Sequence, residues 1–126
     1  MRNLRYVLRR AQPFAQKPAP ANLISLNPGM DAGEWRDSND GLGGGRFPYD
    51  VNAIFVPAAL DAAAAMSRTG LLAPYMTPDD REAFARLPDI EAAWRARAPG
   101  LFAMTIPAAR ARDAITAYAA RAGVPA

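Results

Sequence analysis

The sequence predicts an all-α protein of four or five helices with at most short strands. Apolar residues recur at helical spacing in several stretches, and alanine is the commonest residue. Prolines and glycines separate these stretches, as they do at helix ends. The alternation of apolar and polar residues that is typical of a strand is confined to residues 22–27. A chain of 126 residues suits one domain or a piece of a larger one.

The first helix is predicted over residues 1–12, where apolar residues share one face and Pro13 follows them. Residues 13–49 are predicted to be a connector that ends in a glycine-rich loop. Within this connector, residues 22–27 are expected to be a short strand or an extended arm, because polar and apolar side chains alternate there. A turn is predicted at Asn27–Gly29.

Three more helices are predicted over residues 50–69, 78–98 and 107–122. Asp50 and Thr77 are suitable caps for the first two of these helices. The helix over 78–98 contains an internal proline and is expected to be broken, and a glycine follows the last helix. The aromatic residues outside the loop that are expected in the core are Tyr75, Phe84, Trp94, Phe102 and Tyr118.

The composition excludes several classes of chemistry. The sequence has no cysteine, so disulfides, thiolate metal sites and cysteine nucleophiles are excluded. It has no histidine, which excludes the Ser-His-Asp mechanism and imidazole ligands to metals. Catalysis by this chain would therefore depend on carboxylates, hydroxyls and arginines. No metal or other cofactor is expected.

The net charge of +3 is unevenly distributed along the chain. Residues 1–17 carry five basic residues and no acid, which leaves 10 of the 15 basic residues among all 12 acids. Because those arginines are scattered among acids, nucleic acid is not an expected partner. No apolar run approaches the ~20 residues of a membrane span, and no secretory signal begins the sequence. The sequence therefore predicts a cytoplasmic protein without membrane contact.

The glycine-rich loop combines acidic and aromatic residues, a mixture that is typical of sugar-binding sites. Aromatic faces stack on pyranose rings, carboxylates accept hydrogen bonds from hydroxyls, and one carboxylic acid can protonate a leaving oxygen. The residues concerned are Glu34, Trp35, Asp37, Asp40, Phe47, Tyr49 and Asp50.

Structural roles are the alternative for the same acids. Carboxylates in loops rich in glycine, asparagine and serine often cap turns and helices, and Asp50 precedes a predicted helix. Calcium binding is not expected, because Asp37, Asn39 and Gly41 do not reproduce the spacing of a calcium loop. A polar-ligand site and a set of caps therefore both remain open for this loop.

Two short motifs resemble the glucosidase domain of glycogen-debranching enzymes, which are six-hairpin glycosidases. The first is a tryptophan, one spacer and an aspartate, at Trp35–Asp37. The second is Pro48–Ala53, which runs from a proline through an acidic residue to Asn-Ala and into a helix. The resemblance implies antiparallel helical hairpins that form part of an (α/α) toroid.

The resemblance implies a glycoside hydrolase-like chain that carries half of a site. Asp37 would be the general acid of that site, and the sugar would be an oligosaccharide or a glycoside. The substrate-binding residues would be Glu34, Trp35, Arg36, Arg46, Tyr49, Asp50 and Asn52. In this family the catalytic base lies on a later helix, and six hairpins need more than 126 residues. The isolated chain is therefore expected to be inactive and to belong with the remaining part of a larger chain. The alternative is a helical module that binds carbohydrate without hydrolysis or has a structural role.

Overall fold

A computed structural model describes residues 1–30 and 45–124 of the chain. Those residues form α-helices and short helical turns and contain no strand, which confirms the all-α prediction. The α-helices in chain order are α1 (Arg2–Gln16), α2 (Val56–Arg68), α3 (Pro78–Ala85), α4 (Leu87–Arg97) and α5 (Ala108–Ala122). A π turn at Val51–Phe55 leads directly into α2, within the predicted helix 50–69.

Helix α1 extends beyond its predicted end and continues through Pro13 to Gln16. A proline has no backbone N–H, so the carbonyl of Arg9 loses its usual partner one turn earlier. Packing compensates for this loss, because the next residue, Phe14, is fully buried and its ring centre lies 4.2 Å from that of Trp94. The tertiary contact therefore keeps the last turn helical where the local sequence predicts an end.

Helices α1, α2 and α4 pack against one another around Trp94. The Trp94 side chain is fully buried, and its indole Nε1 donates a hydrogen bond to the carbonyl oxygen of Ala11 at 2.9 Å. Leu60 from α2 and Phe84 from α3 are also buried in this core. The three-helix packing therefore satisfies the one polar atom of its largest side chain.

The predicted core is correct for some aromatic residues and wrong for others. Trp94 and Phe84 are buried, and Phe102 is partly buried against the core. Tyr75 and Tyr118 are 70% and 65% exposed, so their expected burial is wrong. Both tyrosines lie in segments outside the packing of α1, α2 and α4, where no partner helix covers them among the described residues.

Helix α3 begins with a complete capping box. The Thr77 hydroxyl accepts the backbone N–H of Asp80 at 3.2 Å, and Asp80 Oδ2 accepts the N–H of Thr77 at 2.8 Å. The Arg5 guanidinium of α1 also binds the Asp80 carboxylate, through Nε to Oδ1 at 2.7 Å and Nη2 to Oδ2 at 2.6 Å. The hydrogen bonds from Arg5 and then from Thr77 hold the pKa of Asp80 far below its usual range.

The predicted broken helix over 78–98 is observed as α3 and α4, which meet at Arg86. Pro88 lies in the first turn of α4, where a missing N–H costs no helical hydrogen bond. The break therefore comes two residues before the proline.

Helix α5 matches the predicted range and ends at Gly123, which adopts the left-handed conformation with φ +68°. None of its residues is buried, and Ile115 is 68% exposed. The described fold is thus a three-helix core with α3 beside it and α5 uncovered. The toroid of helical hairpins is not confirmed by this arrangement. Among the residues described, no helix is long and apolar enough to cross a membrane.

Candidate functional site

Of the segment 22–27, which is predicted to be a short strand or an extended arm, Asn22 ends a 3₁₀ turn (Pro20–Asn22) and residues 24–27 have no regular secondary structure. We call residues 24–27 the arm, and Asn52 holds it in place. Asn52 Oδ1 accepts the N–H of Ile24 at 2.8 Å. Its Nδ2 donates to the carbonyl oxygens of Ile24 at 2.9 Å and Pro48 at 2.8 Å. Asn52 is fully buried, and both of its amide hydrogens are used on the main chain. In this structure the Asn52 amide is therefore used to hold the arm by hydrogen bonds.

Arg46 makes a second set of bonds to the same arm. Its Nη2 donates to the carbonyl oxygens of Leu26 and Asn27, each at 2.7 Å. Its own carbonyl oxygen accepts the N–H of Leu26 at 2.8 Å. The predicted turn follows at once, with Gly29 at φ +77° and the N–H of Met30 bonded to the carbonyl of Asn27. We call this junction of residues 26–27 with Arg46 the neck.

Asp50 caps the π turn, because its Oδ1 accepts the N–H of Val51 at 2.9 Å. The turn closes when the N–H of Val56 bonds to the carbonyl of Val51, one residue further back than in an α-helix. Pro57 lies just inside α2 and lacks an N–H, so an unbroken α-helical register cannot be completed here. The cap predicted for Asp50 is present, and the turn leaves Phe55 53% exposed.

Tyr49 presents an exposed ring beside the cap. The ring meets that of Phe102 edge to face, with centres 5.4 Å apart and planes at 86°. The side chain remains 52% exposed, so this contact orients the ring and leaves part of it in solvent. Asp50 is the next residue in the chain and is partly exposed. An aromatic surface and a carboxylate thus lie together at the end of the loop.

A groove of about 470 Å³ runs between α1, the arm and the π turn. Within residues 1–30 and 45–124 its walls are mostly aliphatic, and the ionisable residues that line it there are Tyr6 and Arg10. The other lining residues are Val7, Ala11, Ile24, Ser25, Leu26, Asn27, Met30, Pro48, Val51, Phe55, Val56 and Ala59. Tyr49 and Asp50 do not line this groove, so it is a separate surface from theirs.

The predicted site residues fall into three groups. Glu34, Trp35, Arg36 and Asp37 lie outside the described residues. Arg46 and Asn52 bond to the arm, and Tyr49 and Asp50 are at the surface. Within the described ranges no group of three or more potential metal ligands occurs.

Sequence reasoning missed the groove. Its α1 wall is detectable as an apolar helix face, since Val7 and Ala11 are four residues apart. Its other wall is an arm without helical periodicity, which a buried asparagine fixes from 28 residues away. Local patterns contain no signal for such a contact.

Neither the protein-family models nor the curated proteins nor the solved structures give a match to this chain.

Proposed function

We propose that this chain is a carbohydrate-binding helical module whose contact surface lies at the end of the glycine-rich loop. The observation that supports the proposal is the exposed ring of Tyr49, which a perpendicular contact with the ring of Phe102 orients and which Asp50 follows directly. Stacking of a sugar on an aromatic face needs a ring that is both fixed and accessible. A neighbouring carboxylate then accepts hydrogen bonds from sugar hydroxyls.

The surroundings of this surface favour a preorganised site. Asn52 and Arg46 fix the backbone on either side of Tyr49 through hydrogen bonds of 2.7–2.9 Å to the arm. The role of Asn52 and Arg46 is therefore to position Tyr49 and Asp50. The Asp50 carboxylate oxygen that does not cap Val51 is the one that would accept a hydrogen bond from a sugar hydroxyl. Such rigidity lowers the entropic cost of binding. By the resemblance, Glu34, Trp35 and Arg36 would complete the sugar contacts.

Glycosidase chemistry forms the second step of this proposal. In a larger glycosidase-like assembly Asp37 would protonate the leaving oxygen, and a carboxylate from the remaining hairpins would activate water. Because that second carboxylate would come from outside this chain, the isolated chain is expected to bind a sugar and not to hydrolyse it.

Calorimetric titration with maltohexaose, and separately with cellohexaose, tests the proposal. We expect Tyr49→Ala to weaken binding of the preferred sugar about tenfold, because the stacking surface is lost. Tyr75→Ala is the matched control, since Tyr75 is an exposed tyrosine outside this surface. Absence of binding to either oligosaccharide, or equal losses in the two variants, would contradict the proposal.

Asp37→Asn separates binding from catalysis. Asparagine keeps the shape of the side chain but has no transferable proton, so a general acid is lost. A binding module keeps its affinity in this variant, within about threefold, and releases no reducing sugar before or after the change. Sugar release by the unchanged chain that disappears in Asp37→Asn would identify an active enzyme.

A second candidate function is an interaction module, which the exposure of α5 favours. This helix has an apolar stripe that includes Ile115 and Tyr118, and none of its residues is buried. In a larger chain, neighbouring helices would cover such a face. If this is the principal function, sugars would leave the intrinsic fluorescence unchanged, and the apolar dye ANS would bind less when α5 is removed.

A further inference from the structure

We propose that the groove between α1, the arm and the π turn docks an amphipathic helix of a partner protein whose flanks are acidic. This proposal concerns a different surface from the sugar contact at Tyr49, which does not line the groove. Three properties of the groove support it: the apolar lining, the charge around it and the fixed position of its walls.

The lining suits the apolar face of a helix. At about 470 Å³ the groove has the size of a ligand pocket, and its walls are aliphatic over most of their length. Tyr6 and Phe55 line it and remain 57% and 53% exposed, so two large rings face solvent at the same groove. Grooves of this kind bind helices through side chains at positions i, i+3, i+4 and i+7. Sugar hydroxyls would find few polar partners on these walls.

The charge around the groove selects an acidic partner. Helix α1 carries four arginines and no acid. Asp80 pairs with Arg5, whereas Arg10 lines the groove. Among the described residues that line the groove, none is a carboxylate. An acidic helix therefore complements this wall, and a basic one is repelled.

The same charges disfavour a second copy of α5 as the occupant. That helix is amphipathic and uncovered, but it carries Arg110, Arg112 and Arg121 against the single acid Asp113. Its insertion would place net positive charge against Arg10. The occupant is therefore a different protein rather than another molecule of this chain.

The walls are already in place before a partner binds. Asn52 of the π turn bonds to Ile24 of the arm, and Arg46 bonds to the arm at the neck. Ile24 and Leu26 therefore face the groove without rearrangement. A preformed groove does not have to order its own backbone when a helix docks. Affinity then depends on the occupant and on the few residues that line the walls.

Fluorescence anisotropy with three synthetic peptides tests the proposal. The first is an 18-residue amphipathic helix with leucines at i, i+3, i+4 and i+7 and glutamates on its flanks. The second replaces the glutamates with lysines, and the third scrambles the leucines so that they no longer share one face. We expect micromolar binding of the first peptide and binding at least tenfold weaker for the other two.

Variants then locate the binding surface. Ala59→Glu places an acid inside the groove at a partly buried helix position, and it should abolish binding of the acidic peptide. Arg10→Glu should weaken binding at least tenfold. Arg9→Glu is the matched control on the same helix outside the lining, and it should change binding less than threefold. Circular dichroism spectra confirm that each variant is folded.

Several outcomes would overturn the proposal. Equal binding of the scrambled peptide, or acidic-peptide binding that Ala59→Glu does not affect, would show that the groove is not the docking site. Sedimentation that reveals a dimer disrupted by Ala59→Glu would assign the groove to a second copy. Binding to vesicles of phosphatidylcholine and phosphatidylglycerol without binding to the acidic peptide would assign it to an anionic membrane surface.

Discussion

Asn52 is a fully buried amide that bonds to main-chain groups from two separate segments. The N–H and carbonyl of Ile24 and the carbonyl of Pro48 all use this one side chain. A main-chain group that is buried without a partner costs about 1–3 kcal/mol. Asn52 therefore supplies the arm with main-chain hydrogen-bond partners of the kind that a neighbouring strand supplies in a sheet.

Asn52→Leu removes these hydrogen bonds while it keeps a side chain of similar size. We expect the free energy of unfolding to fall by about 2–4 kcal/mol, because the N–H and the carbonyl of Ile24 lose their partner. The carbonyl of Pro48 keeps the backbone N–H of residue 52, at 3.3 Å. Thermal unfolding followed by circular dichroism measures the change.

Asn22→Ala is the control for Asn52→Leu. Asn22 also donates to a main-chain carbonyl, that of Lys17 at 2.8 Å, but its bond is exposed to water. We expect a change within about 0.5 kcal/mol for this variant. Equal changes in the two variants would show that Asn52 does not fix the arm.

At the scale of elements, α3 is an eight-residue helix, and bonds in its first turn attach it to α1. Asp80 closes the capping box with Thr77 and pairs with Arg5 through both carboxylate oxygens. These bonds lower the pKa of Asp80, because all of them favour the ionised form. A lowered pKa in the folded state contributes stability above the unfolded pKa of about 4, and this stability is lost as the pH falls below it.

Asp80→Asn should therefore lower the melting temperature at pH 7 and flatten its dependence on pH. The unchanged chain is expected to lose melting temperature steeply between about pH 4 and pH 2.5, because over this interval the unfolded chain takes up a proton that the folded Asp80 does not. The amide that replaces the carboxylate in the variant cannot titrate, so the variant should lose less over the same interval.

Scanning calorimetry at half-unit steps of pH measures both slopes. The control is Asp79→Asn, which alters an exposed neighbour of Asp80. We expect the melting temperature of this control to change with pH as steeply as that of the unchanged chain. A variant Asp80→Asn with that same slope would refute the assignment.

The elements differ in how far the sequence predicts them. Thr77, Asp50 and Gly123 are local signals, and each marks a helix end where predicted. The end of α1 and the position of the arm depend on Trp94 and Asn52, which are distant in the sequence. Contacts of this kind follow from tertiary packing, so the sequence predicts the elements but not what joins them.

At the scale of the whole molecule, one core holds α1, α2 and α4 together, and α5 contributes no buried residue to it. We expect the core to unfold in a single cooperative transition, since its three helices share the contacts around Trp94. Helix α5 should open independently, because few contacts restrain it. The stability of the molecule therefore resides in the residues before Ala108.

A chain shortened to residues 1–106 tests this division. We expect its melting temperature to lie within about 2 °C of that of the full chain, since a change of 1 kcal/mol corresponds to about 2–8 °C. Amide hydrogen exchange on the full chain should be fast in α5 and slow in α2 and α4. A fall of more than about 5 °C on shortening would show that α5 belongs to the core.

The candidate site, like the fold, is predicted by the sequence only where local signals determine it. Of the predicted site residues, Asp50 is observed as a helix cap and Tyr49 as an exposed ring, and their part in a sugar site stays a prediction. The sequence does not reveal the groove, because α1 and the arm meet there only after folding. Carbohydrate binding and the general acid Asp37 stay predictions, which the titrations proposed above address.

The neck fixes the separation between the two ends of the glycine-rich loop. Leu26 and Arg46 are hydrogen-bonded to each other, so the chain leaves and returns at one fixed point. Doubling the number of residues between two fixed points costs only about 0.6 kcal/mol in closure entropy. Lengthening the chain between the two ends of the neck is therefore expected to cost the fold little closure entropy, which makes the neck a place where evolution can insert residues.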